Sequence, residues 1–239
     1  MNILFDAAAV QVEQQQETST RLNTILGAIK SAGASTNQPW DVTITTPITT
    51  DALSGIDVFV SLTRDPSVPY AQSELTAITG YVNGGGAMLL MSNHTTFCTQ
   101  DAILAANFGV TLQPLFISNP TIGGQAVHPM VMSFLDPIPC LTTTLSSSIL
   151  WEVVSLISHD SCLVVPPATF LPIATFPSTA VDFFNGAPPS SPYFAIVVPP
   201  NDTMQGTLIV TGNAGMICDN GNEVPSCAWS PTATTCCSF

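Results

Sequence analysis

The chain has 239 residues, 46% of them hydrophobic, and only three basic residues (Arg21, Lys30, Arg64) against sixteen acidic ones, for a net charge of -13. That balance removes the phosphate-neutralising surface that nucleic-acid binding requires and disfavours anionic membranes. Charged residues are 8% of the chain, well below the usual quarter, so the surface is built from Ser, Thr, Asn, Gln and backbone and suits contact with other neutral surfaces.

The opening "MNILFDAAAV" has neither a basic n-region nor a long apolar h-region, and it reads as a first strand rather than a signal peptide. No apolar run approaches the roughly 20 residues of a membrane span. A single cytoplasmic domain is the expectation. Cys98, Cys140, Cys162, Cys218, Cys227, Cys236 and Cys237 are scattered and odd in number, which predicts reduced, buried thiols. The sequons at Asn93 and Asn201 then carry no sugar.

In chain order, "NILF" (2 to 5) predicts a short buried strand. Leu22, Ile25, Leu26 and Ile29 recur on one helical face that Gly33 ends. "DVTIT" (41 to 45) alternates as a second strand, "TTDALSG" forms one capped turn, and "IDVFVSL" (56 to 62) is a continuous apolar run of the kind found in central parallel strands. Leu75, Ile78 and Val82 mark a second helix that stops at Gly84, Gly85 and Gly86, and the strand "AMLLM" follows. Alternating strands and helices with short connections predict a flavodoxin-like α/β three-layer sandwich, with a mostly parallel sheet covered on both faces. Ligands bind such sheets at the carboxyl ends of the strands. Asp6, Thr63 to Asp65, and Ser92 to Thr95 should therefore converge on one crevice.

The second half is less regular. Residues 112 to 205 read as a β- and loop-rich elaboration, with "TIGGQAVHPM" (121 to 130) a loop carrying His128. "LVVPPATFLPIATF" and "YFAIVV" read as strands whose prolines point to edge positions or antiparallel additions. "GTLIVTGNAGM" is a buried strand whose turn returns Asn213 to the crevice. Residues 217 to 239 form a cysteine-containing tail, a covering flap or a poorly ordered end. There is no internal repeat.

In enzymes with a nucleophile on a strand-to-helix turn, the reactive atom sits at the turn itself, where free helix N–H groups can hold an oxyanion. Here the turn offers Ser92, Asn93 and His94. Cys98 lies a helical turn further on and is expected to face the packing side as a small buried hydrophobe. An imidazole at a helix start is held neutral by the dipole, which fits His94 as a general base or hydrogen-bonding clamp; the plainer alternative is that His94 or Asn93 caps the helix. His128, extended by Pro129, could pair with His94 or Asp6. His159 reads as a surface turn. No metal-ligand spacing occurs, so a metal would need distant residues such as His94, His128 and Asp6, and neither metal nor cofactor is expected.

"ILFD", "LSGIDVFVSL", "SELTAITGYVNGGGAMLLMSNH", "HPM" and "GTLIVTGNAGM" together resemble the class I glutamine amidotransferase-like superfamily, in its branch lacking the catalytic cysteine, similar to domains of gliding-motility and intraflagellar-transport proteins. The resemblance covers about residues 2 to 110 well and the later part thinly. The amidotransferase Gly-x-Cys-x-Gly elbow is "SNHTT" here, and no late His-x-Glu follows, so glutamine hydrolysis by a thiol is rejected. Carried over by position, the branch's motif residues fall on Asp6, His94, His128 and Asn213, with Asn93 and Asn213 standing where the branch has acids. The resemblance implies a neutral, hydrogen-bonding crevice in which Asp6, His94 and His128 are the candidate catalytic residues. Ser92, Asn93, Thr95, Arg64 and Asn213 are the candidate ligand-binding ones. The first functional reading is a module binding a small molecule or a protein partner; the second is a small-molecule enzyme with His94 as base; the third is a structural homo-oligomer.

Overall fold

The computed structural model describes residues 1–8, 40–118, 130–134, 155–158 and 161–214. Among these, twelve strands form two sheets. The first five strands are β1 (Asn2–Asp6), β2 (Asp41–Thr45), β3 (Val58–Leu62), β4 (Ala87–Met91) and β5 (Thr111–Ser118); then come β6 (Met130–Phe134), β7 (Ser155–Ser158), β8 (Ser161–Val165), β9 (Leu171–Thr175), β10 (Val181–Asp182), β11 (Tyr193–Val198) and β12 (Leu208–Thr211). Helices α1 (Thr50–Leu53), α2 (Gln72–Asn83) and α3 (Thr99–Ala106) connect them, with a 3-10 turn at Thr95–Cys98 ahead of α3.

The large sheet has nine strands in the order β2-β1-β3-β4-β12-β11-β9-β6-β7. Its β2-β1-β3-β4-β12 block is parallel throughout. Beyond it the pairings are antiparallel, so β11 and β6 run against the rest. The mostly parallel α/β architecture expected from the sequence is present. The small sheet, β10-β5-β8, is antiparallel.

Side-chain alternation explains the layering. Along β1, Leu4 points to a core shared with Phe59, Ile78, Val82, Met88 and Leu90, whereas Ile3 and Phe5 point to a second core with Val60, Leu62 and Met91. Both faces of the parallel block are therefore apolar, which is why these strands read as continuous hydrophobic runs. A third cluster of Ile117, Leu163, Ala174, Phe176, Phe194 and Ala195 joins the small sheet to the antiparallel half of the large one. Each fully buried Val, Leu, Ile, Phe or Met side chain among them contributes about 1.5–3 kcal/mol.

Several sequence expectations shift. The capped turn at "TTDALSG" is α1, whose Thr49 Oγ1 accepts from the Ala52 N–H at 3.1 Å. Within the β- and loop-rich stretch residues 111–118 form a strand, and of the two alternatives for the proline-containing strands the antiparallel addition holds: β11 pairs antiparallel with β12 and β9, and both lie inside the large sheet rather than at its edge. Pro114 sits where the β5–β8 register slips between Gln113 and Ile117, so its missing N–H falls in a bulge. The predicted helix at Leu22 to Ile29, together with His128, His159 and the tail, lies outside the described residues. No helix among the described residues is long and apolar enough to cross a membrane.

Candidate functional site

The carboxyl ends of β1, β3, β4 and β12 deliver Asp6, Thr63 and Arg64, Ser92 to His94, and Asn213. These residues separate into two layers that one carboxylate connects.

The lower layer is a buried ionic cluster. Arg64 is 1% exposed. Its Nη1 donates to Asp6 Oδ2 at 2.9 Å, its Nη2 donates to both oxygens of Glu74 at 3.2 and 3.1 Å, and its Nε donates to the Val68 carbonyl at 2.8 Å. The guanidinium also lies 3.9 Å from the centre of the Tyr70 ring. Tyr70 Oη bonds Ser61 Oγ at 2.9 Å and donates to Asp6 Oδ2 at 3.4 Å. Glu74, in the first turn of α2, also accepts from the Ala71 and Ile48 N–H groups at 2.9 and 3.0 Å. Burial pushes the Glu74 carboxyl up, but those two amides and Arg64 outweigh it and leave the group below its ordinary value. Asp6 shows the reverse balance: burial outweighs Arg64 and the Ala8 amide, and its carboxyl is raised. Arg64 and Asp6 are thus joined to each other and to Glu74 within the protein.

The connecting residue is Asp101, on α3 and fully buried. Its Oδ1 accepts from the Arg64 backbone N–H at 3.2 Å and its Oδ2 from Ser92 Oγ at 2.9 Å. Burial lifts its pKa to about 7 against the pull of these two donors. Because the folded value lies above the unfolded one, the stability Asp101 contributes is present in acid and fades as pH rises through about 7. Asp101→Asn keeps an acceptor for Arg64 N–H and offers an amide donor to Ser92 Oγ. Its melting temperature should gain on the wild type by on the order of 5 °C between pH 5 and 8.5, with the change falling below about 7 and levelling off above it. Melting curves across that range check this; a constant difference contradicts it.

The upper layer lies where the turns after β4 and β12 meet. Asn93 Oδ1 accepts from the His94 N–H at 2.8 Å and from Asn213 Nδ2 at 3.4 Å, so the β4 and β12 turns meet there. His94 Nδ1 bonds Thr95 Oγ1 at 2.9 Å. Thr95 has φ +42, the left-handed region that a β-branched residue rarely enters. The turn therefore holds a strained hydroxyl residue beside an imidazole. Burial lowers the His94 pKa to about 4, so the ring is neutral at physiological pH. The cause is desolvation, where the sequence pointed to a helix dipole: the turn that follows His94 is only a four-residue 3-10 helix.

An aromatic wall borders His94. Its ring stacks edge-on against Phe97 (5.3 Å between centroids) and Phe116 (4.5 Å). Phe116 in turn contacts Phe183 and Phe184. These last two are 44% and 72% exposed. They sit on a braced turn: Phe183 N–H donates to the Phe116 carbonyl at 2.8 Å, Asn185 Nδ2 to Asp182 Oδ2 at 2.6 Å, and Gly186 closes the turn with φ +70. "DFFNG" carries an Asn-Gly turn signal that could have flagged the pair.

The structure thus joins Asn93, His94, Thr95 and Asn213 where the turns after β4 and β12 meet, joins Asp6 to Arg64 in the ionic cluster, and ties Ser92 to that cluster through Asp101. His128 lies outside the described residues. Asp101, Glu74, Tyr70, Phe116, Phe183 and Phe184 are additions to the sequence-derived set. No group of three or more His, Cys, Asp or Glu suited to a metal ion occurs among the described residues.

No protein-family model matches the sequence, and no curated protein matches it. Among solved structures, the mmIFT52 N-terminal domain is similar over 92% of this chain and 89% of its own, with a TM-score of 0.64 at 15% identity. A ThuA-like protein from Bacteroides uniformis covers 88% of this chain and 81% of its own (TM-score 0.48, 12% identity). Cytoplasmic protein STM3548 from Salmonella typhimurium covers 89% and 87% (TM-score 0.47, 12% identity). At these identities the likeness to the mmIFT52 domain shows a shared α/β fold alone.

Proposed function

We propose that the chain is a binding module on an amidotransferase-like scaffold, working in the cytoplasm without thiol chemistry and taking an uncharged partner with an apolar face, a small molecule or a protein segment. The observation that carries this reading is the aromatic wall. A phenylalanine 72% exposed on a hydrogen-bonded turn, continuous with half-buried Phe116 and His94, is a preorganised apolar surface beside polar amides. The charge pattern agrees with it. Arg64, the only Lys or Arg among the described residues, is committed to Glu74 and Asp6, so the crevice suits a neutral group better than an anion.

A second reading, a small-molecule enzyme using His94, is favoured by the left-handed Thr95 whose hydroxyl meets the imidazole at 2.9 Å. It is weakened by a His94 pKa of about 4, because a general base works best with a value near the operating pH.

Ligand-observed NMR with a library of neutral small molecules and short apolar peptides separates the two. Binders should weaken about tenfold or more on Phe184→Ala, the loss expected for an aromatic anchor, and remain chemically unchanged during the measurement. Binding indifferent to Phe184→Ala refutes a module anchored on the aromatic wall. A compound consumed by the wild type and spared by His94→Ala establishes the enzyme instead.

A further inference from the structure

The nine-stranded sheet ends in β2, and that edge is open. The Asp41 N–H donates to the Met1 carbonyl at 2.9 Å, and β2 follows β1 in parallel register from Asn2↔Asp41 to Asp6↔Thr45 without a bulge. Backbone groups alternate in direction along a strand, so Asp41, Thr43 and Thr45 address β1, whereas the N–H and C=O groups of Val42 and Ile44 point away from it. Among the described residues no strand pairs with that side. Trp40 and Val42 pack against the core that holds Ile3 and Phe5, and Ile44, next in the same row, is 42% exposed. Natural sheets guard such edges with lysine, proline or a bulge, and "DVTIT" has none of these.

We infer that β2 is a self-association edge, to which a second copy of this chain adds its own β2 antiparallel, joining two nine-stranded sheets into one. The strand fits itself. A two-fold axis at Thr43 sets Val42 opposite the second copy's Ile44 and Ile44 opposite its Val42, the residues whose N–H and C=O groups are turned outward. Each of these two pairs exchanges both its hydrogen bonds, and each apolar side chain gains an apolar neighbour across the new ladder. Thr43 meets its own counterpart at the closer, non-hydrogen-bonded position between them.

Charge selects the orientation. Asp41 is the only charged residue of β2, and in this register it faces Thr45 of the second copy. The two Asp41 residues are then about 13 Å apart along the strands, beyond the screening length of about 8 Å. A parallel, in-register pairing would set them side by side. The antiparallel contact uses the same patch on both chains, so it closes as a dimer. Because β1 and β3 stand between β2 and β4, this edge is separate from the aromatic wall, and the inference does not rest on the binding reading.

Analytical ultracentrifugation of the full chain tests this, with a reductant present to keep its seven cysteines from cross-linking. The wild type should show a monomer–dimer equilibrium between micromolar and millimolar concentration. Ile44→Lys, at an exposed position, should raise the dissociation constant on the order of tenfold, because the symmetry makes one substitution strike two pairs. Thr43→Cys reads the register. Under oxidised glutathione its introduced thiol should link two chains, seen after peptic digestion as one peptide joined to its own copy, whereas Thr45→Cys, set opposite Asp41, should not. A wild type that stays monomeric at millimolar concentration, as expected if the edge serves a strand of another protein, overturns the inference. So does a dimer unchanged by Ile44→Lys, or a link at position 45 as ready as at 43. The cysteine maps decide the matter even if Ile44→Lys fails to fold.

Discussion

Arg64→Met should destabilise the protein by about 3–5 kcal/mol, the cost of stranding buried charge when one partner of an ion pair is removed. Methionine roughly matches the arginine stem in length and can still lie on the Tyr70 ring, so the loss is electrostatic more than volumetric. The two stranded carboxylates will not suffer equally. Glu74 keeps the Ala71 and Ile48 amides, whereas Asp6 keeps only the Ala8 N–H and the longer Tyr70 contact among its observed hydrogen bonds. Asp6 is already raised with Arg64 present, and without it its folded-state pKa climbs further above the unfolded value. By linkage, a group raised in the folded state stabilises in acid and loses that contribution as pH rises. The deficit of Arg64→Met should therefore be smaller at pH 5 than at pH 8, and adding Asp6→Asn should recover part of it. Chemical denaturation of the two single variants and the double variant at both pH values measures the coupling directly. A deficit independent of pH, or no recovery in the double variant, contradicts this account.

The parallel half of the fold was legible because its signals are local. Alternation at 41 to 45 and apolar runs at 56 to 62 and 87 to 91, with glycines closing the intervening helix, locate three strands to within two residues of β2, β3 and β4. The antiparallel half is harder to read because a proline in an apolar run fits an edge strand and an antiparallel addition equally well. Pro114 and Pro172 lie in strands whose ladders slip beside them or in the partner strand, and only the paired strand reveals such a slip. The assignment of β9 and β11 to the interior of one nine-stranded sheet depends on β6 and β7, distant in sequence and lacking a local signature.

The crevice shows the same division. Ser92 to Thr95 and Asn213 follow apolar strands, and polar residues at strand ends announce themselves. The partners beneath them do not. Glu74 and Asp101 sit on helical stripes with Ile78 and with Leu104 and Ala105, positions that pattern reading assigns to the core. A carboxylate on an apolar stripe is in fact the signal: it needs a buried donor, and with three Lys or Arg in the chain, Arg64 after β3 was a strong candidate. The pairing of Phe116 with Phe183 and Phe184 could not be read this way. It depends on β10 adding to β5, a two-residue contact spanning more than sixty positions.

Gly212→Ala should link stability to the crevice. A Cβ at this position runs into Ser161 Oγ and comes within 2.7 Å of the Cys162 carbonyl. The side chain can rotate away, but the carbonyl belongs to β8 and cannot. Gly212 is also held on both sides, its N–H donating to the Phe194 carbonyl at 2.9 Å and its own carbonyl accepting from the Cys162 N–H at 3.1 Å. Relief therefore requires β12 and β8 to separate, at a cost of about 1–3 kcal/mol for overpacking. The movement carries Asn213 off Asn93, because the next residue along makes that 3.4 Å bond. Gly206→Ala supplies the control. Its Cβ meets the Gly86 and Val82 carbonyls at the opposite end of β12, so it should cost comparable stability while leaving the crevice intact. In NMR spectra the side-chain amide signals of Asn93 and Asn213 should shift in Gly212→Ala and stay in place in Gly206→Ala. Equal shifts in both variants would mean that the asparagine pair reports on the global packing of β12 rather than on the local fit of its carboxyl end against β8.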